Sequence, residues 1–472
     1  MKHLLTFSGL LLLSACVSLP VPDGKAYSEP VPVQWSETFV AGEVADAWWT
    51  RFGDPRMDVL IAEAIFENPQ VLSASARTDA ARAQARIAGA DQLPSIAANF
   101  NASRSKQGSA AFAAIPGLGD LEFGGPQNNF SLQGQVSWEL DLWGRIAAQS
   151  EAANEDYLAA VENQRAVQQS LAAQTARLYF SVIEARQQVA LSEQTMEGFT
   201  ETLRQISNRA AVGVGSPTDE QLAISNLENA RAGLEQGRIA LEQVTRQLEV
   251  LLRDYPEGRI AVPEGLPALP PQPPAGLPSE LLIRRPDVIA AERALRAAGL
   301  REEAARKSRL PSLSLNGSGG AQDTDVGDLF DGDLIWSIAG AIVQPIFQGG
   351  RIRASIDLAD ANQRAAAESY VQTALNAFRE VETALAIDTK LASREASLLR
   401  AADAAREAER IAFNRFREGL TPFLTVVEAQ QRALNSQSQF LSARRARLDN
   451  RVDLHLALGG GFDQLNTVEV SR

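Results

Sequence analysis

The feature that most constrains this fold is an internal repeat. The stretch "QLPSIAANF" at 92–100 recurs 217 residues later as "RLPSLSLNG" at 309–317. From Gly144 onward the offset is 206 residues and stays fixed, so that Gly213 falls on Gly419. Because self-similarity at a fixed spacing is typical of duplicated structural units, the sequence predicts two copies of one unit. The difference, 217 − 206 = 11 residues, is assigned to unequal Gly-rich loops before Gly144.

Each copy contains two segments with a hydrophobic period of two. Between 129 and 142, apolar residues and Gly134 alternate strictly with polar side chains, which predicts strands with one apolar and one polar face. We expect strands at about 94–105 and 128–142, and at about 311–320 and 334–346. Strands joined by long loops, with aromatic residues near the ends of the apolar face, are typical of transmembrane barrels. The alternative is the edge of a soluble β-sandwich.

Four strands are too few to close a barrel around a lumen. Open sheet edges are not tolerated in lipid, because the unpaired backbone groups would find no hydrogen-bond partner there. Several subunits must therefore share one barrel, and a trimer would supply 3 × 4 = 12 strands.

A helix of unusual length follows each strand pair. No glycine or proline occurs in 145–197 or in 351–418. Long helices are predicted at about 145–212 and 351–418, and 68 helical residues would span roughly 100 Å. Turn signals follow each of them and lead into shorter helices, and incoming helices are expected at about 56–90 and 286–308.

The amino terminus has the features of a processing segment. Lys2 and His3 precede an apolar run, and "LSAC" at 13–16 resembles a bacterial lipobox that ends at Cys16, the one cysteine of the chain. A plain secretory signal with a nearby cysteine is the alternative. Lipidation of Cys16 would attach the protein to a membrane, and Val17 in place of aspartate favours the outer membrane.

These patterns divide the chain into six parts. They are a signal peptide (1–15), a lipidated extended segment (16–54), a first repeat (55–254), a Pro-rich equatorial connector (255–279), a second repeat (280–458) and a tail (459–472).

Composition argues against an enzyme or a nucleic-acid-binding protein. The formal net charge is −13, whereas nucleic acid requires clustered Lys and Arg. The histidines are His3, in the signal, and His455, so neither an imidazole-based triad nor a metal cluster is expected. The Gly-rich runs lack the Gly-Lys-Ser/Thr ending of a phosphate loop. We expect no catalytic residue and no cofactor apart from the lipid on Cys16.

Five stretches together resemble the TolC-like outer-membrane efflux proteins, in particular the lipidated OprM/NodT branch. They are "DPRMDVLIAEAIFENPQVLSASAR", "LIRRPDVIAAERALRAAG", "DLWGR", "PIFQGGR" and "LALGGGF". The resemblance implies an α+β membrane duct in which a helix–β-hairpin–long helix–helix unit is duplicated. It implies a homotrimer with a 12-stranded β-barrel in the outer membrane and a long periplasmic α-helical barrel.

The resemblance also implies partners and sites. A periplasmic adaptor would join the duct to an inner-membrane transporter of the resistance-nodulation-division (RND) type, and drugs would leave through the lumen. The adaptor-docking candidates are the two helical tips: Val212, Gly213, Val214, Gly215 and Ser216, and Gly419, Leu420 and Thr421. Ordinary helix capping is the alternative for these residues.

Leu399, Asp403 and Arg406 share one helical face and are the candidates for a periplasmic gate. The alternative is a surface ion pair between Asp403 and Arg406. Two alternatives to drug efflux also stand: a duct for type I protein secretion, and a coiled-coil lipoprotein scaffold without a pore. The scaffold explains the helices and Cys16 but gives the amphipathic strands no role.

Overall fold

The computed structural model describes residues 32, 34–37, 39, 47–106, 126–331 and 333–460. A short 3-10 helix at Trp48–Phe52 precedes the first repeat. The elements of the first repeat are α1 (Pro55–Glu67), α2 (Pro69–Ala90), β1 (Ser95–Ser105), β2 (Gln127–Leu140), α3 (Arg145–Ala211) and α4 (Pro217–Leu251). The elements of the second repeat are α5 (Pro278–Arg284), α6 (Pro286–Lys307), β3 (Ser312–Asp323), β4 (Ile335–Val343), α7 (Arg351–Arg417) and α8 (Phe423–Ala457).

The two halves are structural copies, as the sequence repeat predicts. Helices α2 and α6 begin and end at positions that differ by 217. The pairs α3/α7 and α4/α8 also match at both ends, with a difference of 206. The offset changes within the hairpins, where 21 residues separate β1 from β2 but 11 separate β3 from β4. Duplication therefore holds at the level of individual helix ends.

The prediction of one incoming helix over 56–90 is wrong. It is two helices, because Asn68 adopts an extended conformation (φ −62°, ψ 132°) immediately before Pro69. A residue that precedes proline is driven from the helical region by contact with the proline ring. The second copy breaks in the same way at Arg285, before Pro286. Helix α5 also begins at Pro278, inside the predicted 255–279 connector.

The residue at each break performs the same task. Asn68 Nδ2 donates a hydrogen bond of 2.6 Å to the carbonyl oxygen of Leu251, the last residue of α4. Arg285 Nη1 donates one of 3.2 Å to the carbonyl oxygen of Ala457, the last residue of α8. The final carbonyls of a helix have no partner within the helix. Each repeat thus ties the end of its last helix to the break between its first two helices.

The four strands form one antiparallel sheet in the order β1-β2-β3-β4. Their register places Ile96, Val136, Gly317 and Ile338 in one row across all four strands. The opposite face is polar, with hydrogen bonds such as that between Ser318 Oγ and Ser337 Oγ at 2.8 Å. In the described part of the chain, β1 and β4 each pair along one side only. The sheet of a single chain is therefore open at both edges.

Helix α3 organises the helical part. It packs against α2 and α6 and also against α4 and α8, while α7 packs against α6 and α8. Apolar clusters lie at two levels: two in the middle of the long helices, around Phe180 and Val381, and a smaller one at the tips around Val426.

Across the described ranges, none of the helices combines the length and the apolar character needed to cross a membrane.

Candidate functional site at the helical tips

The two predicted tips are the turns between α3 and α4 and between α7 and α8. Gly213 has φ +80° and its N–H donates to the Ala210 carbonyl at 3.0 Å, while the Val214 N–H reaches back to Arg209 at 3.0 Å. This pair of bonds around a left-handed residue is the Schellman ending of a helix, in which glycine is preferred. The long helix therefore ends at a defined position.

The second tip repeats this geometry. Gly419 has φ +78°, its N–H donates to Phe416 at 2.9 Å, and the Leu420 N–H donates to Arg415 at 2.9 Å. Each residue lies 206 positions after its counterpart in the first tip. Ordinary helix capping, the alternative for these residues, therefore does occur at both tips. Capping alone does not explain why the apolar side chains of the tips are exposed.

Both tips present apolar side chains to solvent. Val212, Val214 and Leu420 are 74%, 78% and 62% exposed. A Cβ placed on Gly213 or Gly419 would have nothing within 4 Å. Apolar side chains gathered at the end of a helical hairpin are typical of a binding surface.

The remaining tip residues shape the turns. A Cβ on Gly215 would lie 2.7 Å from the Ala210 backbone nitrogen, so only glycine lets the chain return so closely. Ser216 is the exposed N-cap residue of α4, although its side chain makes no capping hydrogen bond. Thr421 is half-buried beside Pro422, the N-cap residue of α8.

The two tips of one chain are joined to each other. The Arg209 guanidinium lies 4.4 Å from the centre of the Phe416 ring and donates to the Phe416 carbonyl. Below it, Ile206, Phe423 and Val426 form a buried cluster with Phe416. A cation over an aromatic face contributes about 0.5–1 kcal/mol at an exposed site. The two tips are therefore packed against each other, and neither Arg209 nor Phe416 was among the predicted site residues.

The gate candidates lie on α7, above the tips. Leu399, Asp403 and Arg406 are all exposed in the single chain. Asp403 is 16 residues before Gly419, or roughly 24 Å along the helix. The alternative of an Asp403–Arg406 ion pair is wrong, because Arg406 Nη2 instead donates to Gln437 Oε1 on α8 at 3.1 Å.

Asp403 and Arg406 line a cavity of about 430 Å³ between α3, α7 and α8. Its wall includes Glu409 of α7 and Gln430 of α8. Sequence reasoning missed both residues, because they are brought together by packing between helices that are distant in sequence.

Cys16, like all of 1–15, lies outside the described residues. The nearest described contact of the amino-terminal segment is Trp35, whose ring lies 6.3 Å from that of Phe378 on α7. Trp35 Nε1 donates to the Gly276 carbonyl of the connector at 3.0 Å. The segment is thus anchored at the middle of the long helices.

No cluster of metal-ligating side chains occurs among the residues that the structure describes. His455 is fully buried and stacks on Trp48 with ring centres 5.3 Å apart. Burial, together with the charges of Arg51 and Arg451, lowers the pKa of His455 to about 3. Its imidazole is therefore neutral and packed against an aromatic ring.

Comparison with known proteins places this geometry in a family. The model of one family, described as outer membrane efflux protein, matches residues 60–252 and 277–460, one segment in each repeat. Outer membrane protein OprJ of Pseudomonas aeruginosa is 33% identical over 483 aligned residues, covering 98% of this chain and 96% of OprJ. The toluene efflux pump outer membrane protein TtgF of Pseudomonas putida is 30% identical, and 98% of each chain is covered. The cation efflux system protein CusC of Escherichia coli is 31% identical, covering 98% of this chain and 99% of CusC.

Solved structures agree with the sequence relatives. A crystal structure of CusC superposes with a TM-score of 0.81 at 29% identity, covering 93% of this chain and 99% of that chain. The open state of the Neisseria gonorrhoeae MtrE outer membrane channel gives 0.77 at 31% identity, covering 92% and 98%. The α+β duct fold is confirmed, and the family is one of efflux ducts rather than of enzymes. The chain belongs to the outer membrane efflux protein family, and it is an outer-membrane exit duct of an efflux system whose helices extend into the periplasm.

Proposed function

We propose that three copies of this chain form the passive outer-membrane duct of a tripartite drug-efflux pump, completed by a periplasmic adaptor and an RND-type inner-membrane transporter. The observation that carries the proposal is the open sheet. One face of β1 to β4 is apolar and largely exposed, with Ile96 and Ile338 each 78% and Ile342 72% exposed. Both sheet edges lack a partner strand within the described part of the chain.

A closed trimer accounts for both the exposed apolar face and the two unpaired edges of the sheet. If β4 of one chain pairs with β1 of the next, three chains supply 12 strands and leave no edge in lipid. The exposed apolar face then meets lipid, and the polar face with Ser318 and Ser337 lines the lumen. Helices of 67 residues, roughly 100 Å long, continue the duct into the periplasm.

The tips supply the docking surface for the adaptor. Val212, Val214 and Leu420 are exposed at the end of the duct that is farthest from the sheet. An adaptor that buries them would gain about 25 cal/mol for each Å² of apolar surface removed from water. The duct needs no cargo site and no catalytic residue, because the transporter drives the export. The relatives named for toluene and for cations differ in the cargo of their names, although they are 30% and 31% identical to this chain over 98% of its length.

Reconstitution tests the duct. Purified protein is expected to run as heat-modifiable trimers and to give discrete conductance steps in a planar bilayer. Monomers without conductance would overturn the duct and favour the lipoprotein scaffold. A duct for type I secretion differs in its partners, so a secretion ATPase encoded beside this chain in place of an RND pump would favour that alternative.

The gate residues give a prediction on the same preparation. Replacing Asp403 with alanine is expected to raise the open current several-fold, because the exposed carboxylate would no longer bind across the proposed aperture. Arg364→Ala, an exposed ion-paired residue higher on the same helix, serves as the control. Equal currents in the two variants would assign Asp403 to the solvated helix surface.

Lipid attachment at Cys16 is compatible with the fold. Trp35 packs on Phe378, which lies 378 − 351 = 27 residues along α7 from its start, or roughly 40 Å. The 19 residues from Cys16 to Trp35 can span at most about 65 Å when extended. An acylated Cys16 can therefore reach the membrane that holds the sheet, as in the lipidated branch.

Replacing Cys16 with serine is expected to eliminate incorporation of radiolabelled palmitate, because serine lacks the thiol that accepts the diacylglyceryl group. Trimers should still form, since the strands hold them in the membrane. The measurement is autoradiography of the immunoprecipitated protein. Palmitate label retained on the serine variant would exclude Cys16 as the acceptor.

A further inference from the structure

The cavity beside the gate candidates contains a buried acceptor without a donor. Gln430 is 5% exposed, and its Nε2 donates to Thr202 Oγ1 of α3 at 3.1 Å. Thr202 Oγ1 in turn donates to the Gly198 carbonyl at 2.9 Å. Because the hydroxyl proton is committed to Gly198, Thr202 must act as the acceptor, which fixes the orientation of the Gln430 amide. Gln430 Oε1 then remains buried without a hydrogen bond from any described residue.

A carboxyl group lies across the same cavity. A Cβ on Gly198 would be 3.4 Å from Gln430 Nε2 and 4.0 Å from Glu409 Oε1, so both side chains border the space beside Gly198, where α3 has no side chain. Glycine inside a helix costs about 1 kcal/mol relative to alanine. Gly198 is thus an unfavourable residue for α3 that leaves room for this pair.

Most other charged groups that line the cavity have partners of their own. On α7, Glu407 binds Arg410, and Arg406 donates to Gln437. On α3, Glu201 binds Arg204. Asp403 of α7 completes the charged lining, and α8 contributes the uncharged Gln430.

The acids of this cavity differ in their affinity for protons. Hydrogen bonds from Arg204 and Gln205 lower the pKa of Glu201 to about 2. A hydrogen bond from Arg410 lowers the pKa of Glu407. Burial raises the pKa of Glu409 above 4.5, against the opposing charge of Arg406. Among Glu201, Glu407 and Glu409, Glu409 is therefore the carboxylate that binds a proton most readily.

We propose that Glu409 and Gln430 form a proton-dependent latch, in which the protonated carboxyl of Glu409 donates to Gln430 Oε1 and holds α7 against α8 and α3. The proposal rests on the proposed duct function, since α7 carries the gate candidates. When Glu409 ionises, it becomes an acceptor facing another acceptor, and the contact is lost. Acidification of the periplasm thus restrains α7 and reduces opening of the duct.

The test compares pH profiles of the single-trimer current in planar bilayers. Wild-type current is expected to fall about fivefold as the pH drops from 7.5 to 4.5, the ratio given by one net hydrogen bond per gate. Glu409→Gln carries a permanent amide donor and should show the low current throughout this range. Gln430→Leu removes the acceptor and should show no fivefold fall. Glu428→Gln, a carboxylate on α8 outside the cavity lining, is the matched control and should follow the wild type.

A wild-type profile in Glu409→Gln would overturn the latch while leaving the duct intact. Absence of conductance from every variant would instead count against the duct, and thermal unfolding then decides the latch alone. Because the folded pKa of Glu409 is raised, its stabilising contribution is complete below pH 4.5 and is lost as pH rises through the folded value. Glu409→Gln should therefore unfold at a higher temperature than the wild type at pH 7.5. If Glu409→Gln raises the unfolding temperature by the same amount when Gln430 is already replaced with leucine, removal of the charge alone explains the gain. That result would also overturn the latch.

Discussion

Replacing Gly213 with tryptophan is expected to abolish efflux while trimers still accumulate in the outer membrane. A Cβ placed at this position has nothing within 4 Å beyond its chain neighbours, so a tryptophan side chain would project from the tip into the space of the docked adaptor. The positive φ of +80° adds strain of about 1–2 kcal/mol, which a fold of this size can absorb. The measurement is drug susceptibility of cells that depend on the plasmid-borne variant, with trimer yield determined in parallel.

Gly53 provides the matched control. It also has a positive φ, of +64°, and a Cβ placed on it would have no atom within 4 Å, yet it follows the 3-10 helix at Trp48–Phe52 far from the tips. Gly53→Trp imposes the same kind of backbone strain and should leave drug resistance unchanged. Full resistance in Gly213→Trp would remove the docking role from the tip, and equal loss in both variants would attribute the effect to strain.

Replacing Arg285 with alanine is expected to lower the free energy of unfolding by about 3 kcal/mol, as is typical when one partner of a buried ion pair is removed. Its side chain is 10% exposed and binds Asp287 and Glu380, each at 2.7 Å. It also donates to the Ala457 carbonyl at the end of α8. Both carboxylates are about two-fifths exposed, which places the cost at the lower end of the usual range. Denaturant unfolding of detergent-solubilised protein measures the change.

The neighbouring Arg284 separates this effect from loss of charge alone. It pairs with Glu280 one helical turn away, at 3.1 Å, on a partly exposed face. Such a pair is worth a few tenths of a kcal/mol. Arg284→Ala should therefore change the free energy of unfolding about tenfold less than Arg285→Ala. Similar losses from the two substitutions would contradict the role assigned to the Ala457 contact.

The elements of the fold could be predicted because their signals are local. Alternation along 129–142 corresponds to β2, and freedom from proline over 351–418 corresponds to α7. The residues before Pro69 and Pro286 also carried a local signal, since a residue preceding proline avoids the helical region. The helix predicted at 286–308 begins at Pro286, as α6 does, whereas at Pro69 the helical pattern on either side outweighed this signal and the break was missed.

The interior of the site could not be predicted, for a different reason. Arg209 meets Phe416, and Gln430 meets Thr202, across more than 200 residues of sequence. These contacts depend on which helix faces are opposed, and the Ala-rich faces of α3, α7 and α8 look alike in sequence. Glycines in the sequence helped to predict the site only where they end a helix with a positive φ. Gly198, whose importance lies in the space beside it, has no comparable local pattern.

The duplication has an evolutionary consequence. A homohexamer of half-length chains would carry six identical tips, and every substitution would appear at all six. Fusion of two copies lets the first tip keep Val214 while the second carries Leu420 at the equivalent position. In the proposed trimer, selection can alter three contacts with the adaptor and preserve the other three. A mutation that would be lethal in a sixfold assembly can therefore persist here as a change in partner preference.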